Sequence, residues 1–266
     1  MIKDLKVAAV QAGVPQNHQE GEKQVVRLVK EAISKGVDMV GLPEYCLGPY
    51  ANFPNSYDPF GFLSNVASKY SVYLFGATPR KDMNNSISNT GFLFNSEGDL
   101  IGIQEKIFLS PEESDFVQGN VLKVFKTKLG NLSLLVCRDA FVRYSPWLLD
   151  LLRKNETEVV LIPSLSLSAG SKQYNIDLWV ESLKTLSKWF YMCMVAPGTV
   201  GRNMTPHRSF GHSLIIDHRG KLFEGSGDKE DIIYAEISTS YLQKRRKLYE
   251  SKWQPGKVPK VRLVKK

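Results

Sequence analysis

Short apolar runs alternate along the chain with longer amphipathic segments, which predicts strands joined by helices. In residues 20–35 the apolar side chains recur every three or four positions, the pattern of a helix with one buried face, and Gly36 ends it. Similar segments predict helices at 59–70, 146–153 and 174–190. Apolar runs predict strands at 6–11, 38–43, 71–78, 132–137, 158–162 and 192–197.

Two hairpins and an internal repeat complete the pattern. Turn residues join 88–95 to 99–105 and 210–217 to 221–224. Leu42-Pro43 matches Ile162-Pro163 120 residues later, and the hairpin glycine Gly98 matches Gly220 122 residues later. Each half is therefore a βαβαββ unit. Two such units that pack sheet against sheet give an α/β fold, a four-layer αββα sandwich. We expect one domain at 1–240 and a separate C-terminal tail at 241–266.

Composition narrows the class of protein. With 42% hydrophobic and 23% charged residues among 266, the chain is of globular type, which excludes a disordered or fibrous protein. No apolar run approaches the ~20 residues needed to span a bilayer, and the first residues do not resemble a signal peptide. Cys46, Cys137 and Cys193 are odd in number and far apart, so we expect no disulfide framework and a cytoplasmic location.

The net charge of +8 comes from the tail. Residues 241–266 hold ten Lys or Arg and one acid, whereas the rest of the chain is close to neutral. No zinc-finger, RRM or helix-turn-helix signature accompanies this basic segment. We therefore expect no nucleic-acid partner, and the absence of a long apolar run predicts no membrane partner.

Three predicted strands end in reactive side chains, which are Glu44, Lys106 and Cys137. Sites in open α/β sheets gather beyond the carboxyl ends of strands. Taken singly, a cysteine after a buried strand is usually a core residue, and a lone acid or lysine is usually solvated. Taken together, the three supply a nucleophile, a base and a cation at equivalent strand ends.

These residues give the chain a resemblance to the nitrilase superfamily of carbon–nitrogen hydrolases. Leu42-Pro43-Glu44, Gln104-Glu105-Lys106 and Leu135-Val136-Cys137 follow in the family's order, and the resemblance extends over residues 7–237. It implies the αββα fold already expected from the repeat. It also implies a cofactor-free thiol hydrolase that forms dimers through its outer helices, with the tail crossing to the partner.

The resemblance also implies a second glutamate between the lysine and the cysteine. Glu112 has the family's spacing to Phe116 and Gly119, and Glu113 is the neighbouring alternative. The sequence departs from the family at two positions. Phe108 stands where a His or Asn is frequent, and Arg138 stands beside the cysteine where an aromatic residue is usual, without the Phe-Pro-Glu segment that commonly follows.

Roles follow from the chemistry of the groups. A thiol is mostly protonated at neutral pH, so Glu44 would accept its proton while Lys106 and the backbone N–H of Arg138 would stabilise the oxyanion. Ser164 is also assigned to oxyanion or substrate binding. The loop after Glu44 offers Tyr50, Asn52 and Phe53 as pocket residues. None of the four histidines has other potential metal ligands at a suitable spacing in the sequence, so no metal and no cofactor are expected.

The resulting hypothesis is an amidase that cleaves a small carboxamide through a cysteine thioester. Nitrile and N-carbamoyl substrates need the same residues and stay open as alternatives. A non-catalytic binding module is a third alternative, motivated by the altered sequence around Arg138.

Overall fold

Two six-stranded sheets lie face to face between two pairs of helices. The computed structural model describes residues 4–54, 56–141, 143–168, 170–225, 227, 229–239, 242 and 248. The expected interface role of the tail at 241–266 concerns residues that, apart from Leu242 and Leu248, lie outside this description. No helix among the described residues is both long and apolar enough to cross a membrane.

The helices begin and end where the sequence provides caps. They are α1 (His18–Ile33), α2 (Pro59–Tyr70), α3 (Ser145–Lys154) and α4 (Lys172–Phe190). The Asn17 side chain accepts a hydrogen bond from the Glu20 N–H at the start of α1, and Ser171 does the same for Tyr174 at the start of α4. The four helices confirm the segments predicted from apolar periodicity, with ends displaced by a few residues.

The first sheet has the order β14-β1-β2-β3-β4-β5. Strands β1, β2 and β3 run parallel, and the neighbours on both sides of this trio are antiparallel. Their bounds are β1 (Leu5–Gln11), β2 (Met39–Glu44), β3 (Tyr73–Lys81), β4 (Ile87–Phe94), β5 (Leu100–Glu105) and β14 (Asp231–Ile237).

The second sheet repeats this arrangement with the order β13-β12-β9-β8-β7-β6. Its parallel trio is β7, β8 and β9, again flanked by antiparallel strands. The bounds are β6 (Phe125–Thr127), β7 (Gly130–Leu134), β8 (Val159–Leu161), β9 (Cys193–Ala196), β12 (Leu214–Ile216) and β13 (Leu222–Glu224). A separate two-stranded ribbon pairs β10 (Val200–Gly201) with β11 (Ser209–Phe210).

Three apolar layers hold the sandwich together. Val7 and Phe75 of the first sheet share a buried cluster with Leu134 and Val195 of the second, so the sheets pack directly on each other. A second cluster joins α1 and α2 to the outer face of the first sheet, and a third joins α3 and α4 to the second sheet. The fold is the four-layer αββα sandwich of two βαβαββ halves that the repeat predicts.

Strand bounds in the second half differ from the prediction. The strand predicted at 132–137 ends at Leu134, and Cys137 opens a 3-10 turn. The strand predicted at 210–217 is interrupted, because Phe210 pairs in the small ribbon while only Leu214–Ile216 joins the sheet. The outer strands β6 and β14 were not predicted. Strand β6 has three residues and therefore no readable alternation, and β14 continues the sheet beside the first strand of the chain.

Candidate active site

The carboxyl ends of strands from both sheets carry the reacting groups. Glu44 is the last residue of β2, where the pairing with β3 shifts register between Gly41 and Glu44. Lys106 directly follows β5, and its N–H donates to the carbonyl of Asn89. Cys137 lies beyond β7, and its N–H donates to the carbonyl of Pro163, two residues after the end of β8. Backbone hydrogen bonds therefore fix each of these three residues before any side chain contributes.

A buried ion-pair network forms around Lys106. Its Nζ lies 2.7 Å from Glu44 Oε1 and 2.8 Å from Glu113 Oε2. The three residues are 0 to 2% exposed. Two carboxylates and one ammonium leave a net negative charge in a region of low dielectric. Such a site is stable only when its oxygens and protons find partners, and it perturbs the pKa of every member.

Asn89 and Tyr45 complete the network. The Asn89 amide donates to Glu44 Oε1 at 2.7 Å and to Glu113 Oε1 at 2.5 Å, and the Tyr45 hydroxyl donates to Glu113 Oε1 at 2.9 Å. Sequence reasoning missed both residues. Asn89 lies in the polar run Ser88-Asn89-Thr90 near the start of β4, so no clear signal in the sequence distinguished it.

The second glutamate of the network is Glu113, which corrects the choice of Glu112. Ser110 and Glu113 form a capping box around the 3-10 turn Pro111–Glu113, with the Ser110 N–H donating to Glu113 Oε2 at 2.9 Å. The box folds the Glu113 carboxylate back toward Lys106 and leaves Glu112 exposed to solvent. The Ser-x-x-Glu spacing of a capping box was readable in the sequence and favours Glu113.

The thiol of Cys137 stands against the network in a special backbone conformation. Its φ of 46° is in the left-handed region, which costs a non-glycine residue about 1–3 kcal/mol and is frequent at functional sites. Ser164 Oγ donates to the sulfur at 3.5 Å. Burial, followed by the Glu44 charge, raises the pKa of the thiol to about 12, and Lys106 opposes that shift. The resting thiol is therefore protonated and needs a base.

Glu44 is placed to be that base. Burial raises its pKa, Lys106 opposes the rise, and the Glu113 charge adds to it. Its Oε2 is buried and accepts no hydrogen bond from the described residues, so one carboxylate oxygen is available for a proton. Burial disfavours the charge on Lys106, but the charges of Glu44 and Glu113 raise its pKa above the ordinary value. Lys106 thus stays an ammonium.

Asp139 ties the lysine segment to the cysteine segment. Its buried carboxylate accepts hydrogen bonds from the N–H groups of Ile107 and Phe108 and from that of Val136, at 2.7 to 3.2 Å. Burial raises the pKa of Asp139 to about 7 although the backbone donors favour its charged form. The contact fixes the distance between the two segments that carry Lys106 and Cys137.

Comparison with known proteins shows the family to which the chain belongs. The family model described as carbon-nitrogen hydrolase matches residues 6–247. The chain belongs to the carbon-nitrogen hydrolase family. Hydrolase C26A3.11 of Schizosaccharomyces pombe is 28% identical over 84% of this chain and 73% of its own length. Omega-amidase NIT3 of Saccharomyces cerevisiae is 26% identical over 92% of this chain and 91% of its own length.

Solved structures of the family share the fold. The crystal structure of Saccharomyces cerevisiae Nit3, a member of the nitrilase superfamily, matches with a TM-score of 0.80 and 24% identity over 92% of this chain and 94% of that one. The resemblance on which the sequence analysis relied is confirmed, and so is the fold that it implied.

The other expected pocket residues of this carbon-nitrogen hydrolase occupy different places. Arg138 is exposed and, with Arg143, lines an open cavity next to the thiol segment. Tyr50 and Phe53 instead form an aromatic cluster with Tyr57, and the Asn52 amide donates to a backbone carbonyl of the segment before α1. Among the described residues, no recorded contact joins Tyr50, Asn52 or Phe53 to Cys137.

Proposed function

We propose that this protein is an amidase that hydrolyses a small carboxamide through a thioester on Cys137. The observation that carries the proposal is the buried network of Glu44, Lys106 and Glu113 beside a partly exposed thiol. The names of curated relatives, omega-amidase among them, support the same reaction class.

The first half of the reaction forms the thioester. Glu44 accepts the thiol proton as the sulfur of Cys137 attacks the amide carbonyl carbon. The negative charge that develops on the carbonyl oxygen is stabilised by the Lys106 ammonium and by the N–H of Arg138. That N–H lies in the first turn of a 3-10 helix, where backbone donors lack intrahelical acceptors. Glu44 then gives the proton to the leaving nitrogen, the C–N bond breaks, and the amine or ammonia departs.

The second half returns the enzyme to its resting state. Glu44 takes a proton from a water molecule, which attacks the thioester carbonyl and passes through a second oxyanion at the same donors. Collapse breaks the C–S bond and releases the carboxylic acid, and the thiolate regains its proton from Glu44. The nucleophile must remain a free thiol, so we place the enzyme in a reducing compartment such as the cytosol.

Product analysis tests the proposal. Purified protein is incubated with small amides, ureides and nitriles, ammonia release is measured, and the intact mass is recorded during turnover. We expect ammonia from amides and a transient mass increase equal to the acyl group. Exclusive turnover of nitriles or ureides would replace amidase by one of those activities. Absence of turnover and of acylation across the panel would instead favour a binding module.

We propose that the enzyme acts as a homodimer in which α3 and α4 meet the partner. Large aromatic side chains on these helices are exposed, with Trp147 at 61% and Trp189 at 69%, and Trp189 borders a largely apolar groove. Light scattering should report a dimer, and Trp189→Glu should shift it toward the monomer. A monomeric wild-type protein at micromolar concentration would contradict the proposal.

A further inference from the structure

The segment that follows β8 brings two hydrogen-bond donors to the sulfur of Cys137. Ser164 Oγ donates to the sulfur at 3.5 Å, and the N–H of Leu165 donates to it as well. We propose that these two donors stabilise the thiolate form of the sulfur, and that Thr199 is the positioning residue that orients them. The inference rests on the proposed thioester mechanism, in which the sulfur becomes negative when it loses its proton and again when the C–S bond breaks.

The backbone holds the first donor, the N–H of Leu165. The peptide group that joins Ser164 to Leu165 directs this N–H to the sulfur. The carbonyl of the same peptide group accepts a hydrogen bond from the Thr199 N–H at 3.1 Å, and the Ser164 N–H donates to the Pro197 carbonyl at 2.9 Å. The peptide group is therefore fixed on the side opposite the sulfur, and its N–H cannot rotate away without breaking a buried hydrogen bond.

The Thr199 hydroxyl orients the second donor, which is the hydroxyl of Ser164. The next peptide group joins Leu165 to Ser166, and its carbonyl accepts a hydrogen bond from Thr199 Oγ1. The N–H of this peptide group donates to Ser164 Oγ at 3.2 Å, which leaves the hydroxyl proton of Ser164 to point at the sulfur. Ser209 Oγ lies 2.8 Å from the same carbonyl and 2.6 Å from Thr199 Oγ1, and so supports the arrangement.

This chain of hydrogen bonds is shielded from water. Its hydroxyl side chains belong to residues that are 1 to 5% exposed, namely Ser164, Ser166, Thr199 and Ser209. In a region of low dielectric each hydrogen bond polarises the next, so the contact of Thr199 with the Leu165 carbonyl strengthens the donor that reaches the sulfur. The two donors favour the thiolate and thus oppose burial and the Glu44 charge, which raise the pKa of the thiol.

The reactivity of the thiol tests the proposal without any amide substrate. Thr199→Val keeps the shape and the backbone N–H of the residue and removes its hydroxyl. The reaction of Cys137 with the small neutral reagent methyl methanethiosulfonate is followed by intact mass at a fixed pH below the thiol pKa, and peptide mapping locates the product. We expect the rate to fall about 2- to 5-fold, because the loss of thiolate is partly offset by the greater nucleophilicity of a more basic thiol. An unchanged rate would overturn the inference and leave the amidase proposal intact.

Two further variants separate orientation of the donors from general stability. Thr199→Ser retains the hydroxyl and should restore most of the rate. The matched control is Thr157→Val, which removes an equally buried hydroxyl that lies 2.8 Å from Ser133 Oγ, before the start of β8 rather than after its end. It should leave the rate unchanged, and the charged groups that face the sulfur, Glu44 and Lys106, are the same in all variants. An equal loss in Thr157→Val would overturn the inference, because the rate would then report a loosened second half.

A double mutant identifies the route from Thr199 to the sulfur. Ser164→Ala alone should lower the reaction rate of the thiol to a similar extent, and Thr199→Val should lower it by less than about twofold further in that background. Losses that multiply would contradict action through Ser164. Single-turnover acylation by an amide should follow the same order, with losses of about 2- to 10-fold. A wild-type protein that is acylated by no amide would overturn the amidase proposal, whereas the reactivity of the thiol would still decide the role of the two donors.

Discussion

The two halves of the molecule have the same strand order but different chemistry at equivalent strand ends. In the first sheet Ala9 lies opposite Gly41 on the neighbouring parallel strand, and in the second sheet Leu134 lies opposite Leu161. These pairs provide a common reference point in the two repeats, because both join the first and second strands of a parallel trio.

The two halves carry different residues three positions after each reference point. Cys137 in the second half corresponds to Ala12 in the first, and Glu44 in the first half corresponds to Ser164 in the second. In the proposed mechanism, one half therefore provides the base and the other provides the nucleophile. A duplicated scaffold thus forms one site when its two copies contribute complementary groups across the interface between their sheets.

We expect the largest loss of activity when Cys137 is replaced by alanine, the residue at the corresponding position of the first half. Cys137→Ala gives the second half the same residue that the first half has at Ala12, and it leaves no nucleophile to form the thioester. Ammonia release should fall below detection while circular dichroism shows a native fold. The matched control is Cys193→Ala, a buried core cysteine, which should keep turnover with a small loss of stability. More than a few per cent of activity in folded Cys137→Ala would contradict the mechanism.

The two residues that follow the matched prolines should differ sharply in importance. Glu44→Gln removes the proton acceptor and should slow acylation by about 10²–10⁴-fold, the usual contribution of a general base. Ser164→Ala removes a hydrogen bond to the sulfur and the acceptor of the Ser166 N–H, and should cost about 2- to 10-fold. Single-turnover rates of acyl-enzyme formation measure both. Comparable losses in the two variants would mean that the halves contribute more equally than their chemistry indicates.

Periodicity and turn residues were sufficient to predict the architecture, because the repeat is recorded in local patterns such as Leu42-Pro43 and Ile162-Pro163. They were insufficient for β6 and β14, whose pairing depends on partners distant in sequence. The convergence of Glu44, Lys106 and Cys137 was also predictable, because side chains that follow the carboxyl ends of strands gather at one end of an α/β fold.

The contacts within the buried network were harder to predict from the sequence. Asn89 and Tyr45 reach the carboxylates only after β2, β4 and the 3-10 turn at Pro111–Glu113 have assembled. The family spacing predicts Glu112, but the capping box at Ser110 places Glu113 in the network instead. The loop residues Tyr50, Asn52 and Phe53 follow Glu44 closely in sequence, yet their recorded contacts turn toward α1 and the segment before it. Closeness to Glu44 along the chain therefore did not predict contact with the active site for these loop residues.

The adjacent residues Glu112 and Glu113 should also differ in their importance for activity. Glu113→Gln removes a buried ion pair with Lys106 and should reduce kcat/KM by about 10- to 100-fold, the range for a hydrogen bond to a charged group. Glu112→Gln changes an exposed carboxylate one residue earlier and should alter kcat/KM by less than about twofold. The larger loss in Glu112→Gln would reinstate that residue as the second glutamate.

The smallest expected effect is a displacement of the acidic limb of the pH profile. Glu44 must be ionised to accept the thiol proton, so kcat/KM falls as pH falls through the pKa of Glu44, which burial and the Glu113 charge raise above the ordinary range. Lys106 stays protonated because its pKa is raised, and the pKa of the thiol is raised to about 12, so neither group titrates along that limb.

Glu113→Gln removes one nearby negative charge, which makes ionisation of Glu44 easier and should move the midpoint to lower pH by up to about one unit. The exposed Glu112→Gln serves as the control and should leave the midpoint in place. A midpoint that moves to higher pH in Glu113→Gln would show that the loss of order around Lys106 outweighs the charge, and that Glu113 acts on Glu44 through position rather than through electrostatics.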